Sequence, residues 1–225
     1  MNERILAVIP SLNAECTLAI VVEETRRQME SVLVIDDGSS DRTGEVARTA
    51  GAIVLRHEVN RGKGAALKTG FAWALQNGYD AVITLDADGQ HLPSEIPKFL
   101  AERERGKADL IIGGRAHLFG QMLPRRRNAN RFSAWCIAQC SGLTITDSQS
   151  GFRLYSAGLM QGPKLHANGF DMESEVIVRA GRGGFRVVTI PIELGFVDGL
   201  ATSHYKPLKD TLRIARTVTR ARLFG

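Results

Sequence analysis

No run of about 18 consecutive apolar residues occurs in this chain of 225 residues, so a membrane-spanning helix is not expected. The first residues lead directly into "RILAVIP" (4–10). That stretch is too short for the apolar region of a signal peptide and lacks a small-residue cleavage site, so a cytoplasmic protein is expected. Cysteine is scarce. Cys16, Cys136 and Cys140 are an odd number with no CxxC pair, which argues against a disulfide framework or a zinc ribbon and for reduced thiols. Internal repeats, low-complexity tracts and linkers are absent. A strong charge imbalance is absent too: 29 Lys and Arg face 24 Asp and Glu, a net charge of +5. That excess suggests an anionic partner without naming one. No aromatic-interleaved basic stretch and no helix-turn-helix signal accompany the basic run "PRRR", so nucleic acid is not an expected partner.

A hydrophobic share of 44% against 24% charged supports a sizeable core in one compact domain. Short β-branched runs recur: "ILAVI" (5–9), "SVLVIDD" (31–37), "AIVLRH" (52–57), "AVITLD" (81–86), "DLIIGG" (109–114) and "FRVVTIPI" (185–192). Between the early runs, helical spacing covers 14–30, 41–50, 63–77 and 93–105. Strand and helix in alternation predict an α/β fold, a mainly parallel sheet with helices on both faces. Ser39 or Ser40 and Pro93 mark two helix starts. After about residue 115 the pattern loosens into a basic segment (123–135), a loop (144–156) and a basic tail. The division expected is a main domain over 1–200 and a basic tail over 201–225.

In open parallel sheets, ligands bind at the carboxyl ends of the strands. Here those ends are polar: "IPSLNAE", "IDDGSSD", "LDADGQ" and "IIGGR". Asp86 and Asp88, two residues apart on an extended chain, share a side and repel unless a cation lies between them. Hard oxygen ligands suit magnesium or manganese, which one or two carboxylates hold together with phosphate oxygens. Taken alone, "DAD" also suits a strand turning into solvent; "IDDGSSD" one βα unit earlier favours a metal–diphosphate site. "VNRGKGAALKTGF" (59–71) approaches a P-loop, but Leu67 stands where the glycine before the lysine must wrap phosphate. It reads instead as a glycine-rich helix start that brings Lys63 near a nucleotide.

The stretches "VIPSLNAE", "VIDDGSSDRT", "NRGKGAALKTGF", "DAVITLDADGQHLPSEIPKFL", "IIGGR" and "DSQSGFRLYS" resemble family 2 glycosyltransferases of the GT-A fold, over about residues 4–192. Among them, the group most similar is the dolichol- or polyprenyl-phosphate hexosyltransferases. The resemblance implies that Pro10, Asn13 and Glu15 hold the nucleoside and that Asp36 reads the base with Asp37 beside it. It implies a metal site at Asp86, Asp88 and Gln90, with Asp88 as the principal ligand. Arg115 becomes a basic residue at the fifth strand end, and Arg179 one near the donor diphosphate. Arg126 and Asn130, one helical turn apart, fit a pair that holds the acceptor phosphate, with Arg127 and Arg131 as equal alternatives of register. Relatives often carry an arginine soon after the strand matching "VVTIPI"; here "ELGFVDGLAT" has none, and His204 and Lys206 are the substitutes.

The implied reaction moves a hexose from a nucleotide sugar, of GDP-mannose or UDP-glucose type, to polyprenyl phosphate, with inversion and a divalent metal. The alternative is the same donor chemistry on a hydroxyl acceptor, which needs a general base; Asp147 is the first candidate. The QxxRW signature of processive synthases in the family is absent. A silent nucleotide-sugar-binding protein is disfavoured by the intact Asp36, Asp86 and Asp88. A nucleotidyltransferase is disfavoured by the lack of glycine in "IPSLNAE". In the tail, Lys206, Lys209, Arg213, Arg216 and Arg220 fall on one helical stripe and Leu208, Leu212, Ala215 and Val218 on another. That pattern predicts a basic amphipathic helix able to lie on the cytoplasmic face of an inner membrane.

Overall fold

The computed structural model describes residues 3–117, 124–195 and 207–223, except for the side chains of 124–129 and 207–211. Its elements, in order, are β1 (Ile5–Ser11), α1 (Leu18–Gln28), β2 (Val32–Asp36), α2 (Thr43–Thr49), β3 (Ile53–Arg56), α3 (Lys63–Gln76), β4 (Ala81–Thr84) and α4 (Ile96–Gly106). There follow β5 (Leu110–Gly114), α5 (Pro124–Ser141), β6 (Arg153–Ser156), α6 (Ala157–Gln161), α7 (Asp171–Arg182), β7 (Val187–Pro191) and α8 (Pro207–Leu223). A short 3-10 turn, Pro93–Glu95, leads into α4.

The described strands form one sheet in the order β3-β2-β1-β4-β6-β5-β7. All pairings are parallel except those of β6, which runs antiparallel to both β4 and β5. Successive side chains of a strand point to opposite faces, and the core divides accordingly. Leu6, Val8, Leu33, Ile35 and Val82 meet α3, α5, α7 and α8 on one face. Ala7, Ile9, Val32, Val34 and Ile83 meet α1, α2 and α4 on the other. Between β1 and β4 the chain order reverses, and the crevice at such a switch point is where α/β sheets take ligands.

Two expectations need correction. The segment 144–156 is not all loop, because its last four residues are β6. The sequence hid this strand: it opens on a charged residue, and a four-residue run is too short to show a period. Arg153 is fully buried and its guanidinium donates to the carbonyls of Ser148, Ser150 and Glu173 at 2.7–2.8 Å. The start of α2 also lies later than Ser39 or Ser40. Asp41 accepts from the Thr43 amide at 2.9 Å, while the two serines turn to Asn13.

Helix α8 packs on α5 and α7. Its buried stripe is Ile214, Val218 and Ala221, which shares Val218 with the expected Leu208–Leu212–Ala215–Val218 line. Leu212 is exposed, and the side chain of Leu208 lies outside the described residues. Tertiary packing on α7 chose the face.

Candidate active site

The carboxyl ends of β1, β2, β4 and β5, with the start of α3, bring three groups of residues together. At the first, β2 ends in Asp36, which is fully buried. Its Oδ1 accepts from the Ser39 amide at 2.9 Å. Oδ2 lies 3.1 Å from Arg56 Nη1 yet accepts no well-directed hydrogen bond, which leaves an acceptor to spare. Asn13, in a left-handed conformation (φ 50°), accepts from the Ser40 amide at 2.9 Å. Glu15 accepts from the Arg42 amide at 3.1 Å. Pro10, paired with Ile35 in the sheet, leads the chain into this loop. Asp37 has another task. Its carboxylate accepts from the amides of Arg61 and Gly62 at 3.0 and 2.8 Å and contacts His57 Nδ1 at 2.6 Å. With both oxygens engaged inside the protein, Asp37 shapes the approach to α3 and has little left for a ligand, contrary to the expectation from sequence.

The second group centres on Lys63. Gly62 (φ 95°) turns the chain into α3 against the Asn168 carbonyl, where a Cβ would lie 2.5 Å from that oxygen. Lys63 is therefore the first residue of the helix, as the glycine-rich start predicted. Its Nζ lies 2.6 Å from Asp86 Oδ1 and 3.2 Å from Glu173 Oε2. Burial by itself disfavours the ammonium, but the two carboxylates overcome it and hold Lys63 well above its usual range. Burial pushes Asp86 up, yet Lys63, with His91 beyond it, brings its carboxyl down to about 2. Asp88 moves the other way, raised by burial and by the charge of Asp86.

A carboxylate that burial and a like charge both disfavour is a place where a cation relieves strain. Asp86 and Asp88, with Gln90, are the residues that would offer hard oxygens to a magnesium or manganese ion there. Asp88 Oδ1 already accepts from the Gln90 amide at 3.0 Å, which folds the two side chains' backbone into one turn. Among the described residues there is no cluster of three or more His, Cys, Asp and Glu that could hold a metal by itself.

The third group lies where β5 ends. Asp147 is fully buried. It accepts from the Arg115 amide at 3.1 Å, from Arg115 Nε and Nη2 at 2.8 and 3.3 Å, from Asn130 Nδ2 at 3.3 Å and from the Gln149 amide at 3.0 Å. Burial raises its pKa, but the Arg115 guanidinium outweighs burial and the carboxyl sits below its ordinary value. Five donors and a lowered pKa leave no lone pair for a substrate proton. Asp147 orders Arg115 and Asn130 and does not suit the general-base role set out for it. Asn130 keeps a buried Oδ1 with no partner.

The loop after Asp147 joins the second and third groups. Four residues on, a Cβ at Gly151 would fall 2.7 Å from both Asp86 Oδ2 and Lys63 Nζ, so this backbone lies directly against the ion pair.

Other expected residues fall elsewhere. Arg179 forms an i,i+4 pair with the buried Glu175, Nε to Oε1 2.9 Å. It stands six residues, about 9 Å, along α7 from Glu173, so its guanidinium is not free for a diphosphate. The side chains of Arg126 and Arg127, and His204 and Lys206 entirely, lie outside the described residues. Two site residues carried no recognised signal. Glu173 reads as an ordinary acidic residue in a first helical turn, yet it holds Lys63 and keeps a buried Oε1 without a partner. His91 Nδ1 accepts from the Asp86 amide at 3.0 Å. Burial, reinforced by Arg115 and Lys63 against the pull of Asp86, brings its pKa down to about 4, so the ring is neutral and fixes the Asp86 backbone.

Comparisons with known proteins identify the family and the fold. Residues 6–160 match the model of "Glycosyl transferase family 2". The chain is 34% identical over 202 residues to an undecaprenyl-phosphate mannosyltransferase of Micrococcus luteus, covering 84% of this chain and 82% of that one. It is 33% identical over 209 residues to a polyprenol monophosphomannose synthase of Mycolicibacterium smegmatis, covering 85% and 77%. A crystal structure of glucosyl-3-phosphoglycerate synthase from Mycobacterium tuberculosis, in complex with Mn2+, uridine diphosphate and phosphoglyceric acid, superposes with a TM-score of 0.72 at 22% identity over 99% of this chain and 78% of that one. The shared architecture is the GT-A fold. With the family model matched over residues 6–160 and relatives above 30% identity covered over most of their length, this chain is a member of glycosyl transferase family 2, an enzyme that moves a sugar from a nucleotide sugar.

Proposed function

We propose that the enzyme transfers a hexose, with inversion, from a nucleoside diphosphate sugar to a polyprenyl phosphate. The observation that carries this reading is the state of Asp147. A hydroxyl acceptor needs a base in the transition state. Asp147, the first candidate for that task, is buried, ionised and saturated by Arg115, Asn130 and Gln149. A phosphate acceptor is already an anion and needs donors instead. Arg115 and the arginines of α5 are of that kind, since a guanidinium offers a rigid fork matched to phosphate. The two relatives described above, whose names specify undecaprenyl-phosphate and polyprenol acceptors, support the same substrate class.

In this reading Asp36 and the Pro10–Asn13–Glu15 loop hold the nucleoside, and Lys63 faces the diphosphate. The phosphate oxygen of the acceptor attacks the anomeric carbon from the side opposite the diphosphate. The bond from that carbon to the diphosphate oxygen breaks with its electron pair on the oxygen, and the configuration inverts. A magnesium or manganese ion held by Asp86, Asp88 and Gln90 would supply charge neutralisation for the leaving diphosphate. Lys63, held between Asp86 and Glu173, fixes the Asp86 carboxylate beside that ion. Arg126 and Asn130 position the acceptor phosphate, with Arg115 locked in place by Asp147.

Steady-state transfer with polyprenyl phosphate and with hydroxyl acceptors, read by mass spectrometry over a panel of nucleotide sugars, tests this. Product should form on the lipid phosphate. Arg126→Ala should lose it by a factor of about 100 or more while keeping its affinity for the nucleoside diphosphate. Transfer to a hydroxyl acceptor alone, with a rate that falls in acid and is abolished in Asp147→Ala, would overturn the reading.

A further inference from the structure

Helices α5 and α8 set themselves apart from the rest of the chain in charge. Together they carry nine of the 29 Lys and Arg residues and one of the 24 Asp and Glu. Their net charge is +8, so the remainder of the chain, with a total of +5, stands at −3. The two helices pack on one another and both pack on α7, and Arg222 Nη1 donates to the Gln139 carbonyl at 3.2 Å. Each turns a stripe inward: Asn130, Ser133, Ala134 and Ile137 on α5, and Ile214, Val218 and Ala221 on α8.

Their outer faces are unusual. On α5, Phe132 and Trp135 are 52% and 60% exposed and stack on each other at 6.1 Å, beside the exposed Arg131. On α8, Leu212 and Leu223 are 73% and 67% exposed, with the exposed Arg216 and Arg220 between them. Four of the seven large apolar side chains exposed among the described residues lie on these two helices. Single exposed apolar residues need no explanation, but a cluster set among cations does.

We propose that the outer faces of α5 and α8 form a docking surface for an anionic lipid bilayer, with Phe132 and Trp135 entering the headgroup layer. The proposal rests on the lipid-phosphate reading of the acceptor. Aromatic rings and arginines side by side are the chemistry of the membrane interface, and the net positive charge complements an anionic leaflet. Position argues the same way. Asn130, on the inner side of α5, reaches Asp147, while Phe132 and Trp135 leave the outer side of the same turns. A helix is about 10 Å across, so a bilayer seated on this surface holds its phosphates one helix diameter from the acceptor site. The helix expected from the tail takes part, but with the face opposite its buried stripe and with α5 as a partner that the sequence did not indicate.

The chain has two tryptophans, so Trp73→Phe leaves Trp135 as the sole reporter. Phosphatidylglycerol–phosphatidylcholine vesicles should shift its emission to the blue, and brominated lipid should quench it. Sedimentation with the same vesicles should show partition that is about tenfold weaker onto pure phosphatidylcholine and weaker at high salt. Phe132→Ser with Trp135→Ser, and separately Arg216→Glu with Arg220→Glu, should each reduce partition about tenfold and leave nucleoside diphosphate affinity unchanged. The surface is overturned if Trp135 stays unquenched or if both double variants partition like the parent. It is equally overturned if the arginines retain nucleic acid in place of vesicles, or if sedimentation velocity reveals a dimer that the serine variant dissolves. Failed vesicle binding with transfer to a short, water-soluble polyprenyl phosphate retained removes the surface and spares the acceptor reading. Vesicle binding without transfer to any polyprenyl phosphate does the reverse.

Discussion

Replacing Lys63 with methionine keeps the length and bulk of the side chain and deletes its charge. The ammonium contacts Asp86 at 2.6 Å and Glu173 at 3.2 Å, so the variant leaves two carboxylates facing one another. Asp86 titrates at about 2 against an ordinary 3.8. At about 1.4 kcal/mol per pH unit this makes its ionised state worth roughly 2 kcal/mol to the fold. Breaking a buried pair by removing one partner costs about 3–5 kcal/mol, and the partial access of Asp86 to water trims that figure. A loss of about 2–4 kcal/mol follows, or roughly 5–15 °C in Tm for a domain of this size. The sign with pH is fixed by the depressed pKa: the contribution is complete above the ordinary carboxylate value and disappears as pH falls from 3.8 towards 2. Thermal and urea unfolding of wild type, Lys63→Met and Lys63→Arg from pH 7 down to 3 measure it. The methionine variant should be less stable at pH 7, the gap should narrow below pH 4, and arginine should restore part of it. A methionine variant that melts within about 2 °C of wild type, or a gap indifferent to acid, would refute the account of the ion pair.

Three further outcomes follow from the same geometry. Gly151→Ala places a methyl group 2.7 Å from Asp86 Oδ2 and Lys63 Nζ, so nucleotide-sugar turnover should fall sharply while circular dichroism keeps the wild-type signature. Asp36→Ala should weaken free nucleoside diphosphate and nucleotide sugar equally, by roughly 10- to 100-fold; calorimetry that finds only the sugar-bearing ligand affected would misplace Asp36. His91 is held at about 4 against 6.5, so its contribution is whole above pH 6.5 and is lost as pH falls towards 4, for roughly 3 kcal/mol in all. In urea unfolding between pH 7 and 4.5, His91→Asn should lack most of that slope.

The half up to Gly114 was legible because its signals are local. Val32–Asp36 and Ala81–Thr84 are runs buried on both faces, and runs of that kind announce parallel strands. "NRGKGAA" announced a glycine-led helix start, and Lys63 stands at it. The half beyond Gly114 was less legible because its order is tertiary. The strand at Arg153 depends on carbonyls from Ser148, Ser150 and Glu173, which no periodicity encodes. Asp147 looked like a base because a carboxylate in a polar loop is the ordinary sequence signal for one. Only the approach of Arg115 from β5 and Asn130 from α5 exhausts its lone pairs.

By itself, then, the sequence determined the alternation of strand and helix, the strand-end address of the polar residues and the spacing of Asp86, Asp88 and Gln90. Each of these is set by neighbours a few residues apart, where backbone geometry and burial act directly on the residue type. The tertiary structure alone decided which charges are free. Asp37 and Arg179 are spent on internal partners, Glu173 enters the site, and α8 buries Ile214 and Val218 while turning Leu212 outward. A charged side chain advertises its chemistry in the sequence, but its partner comes from a distant element, and once buried the partner settles what chemistry remains.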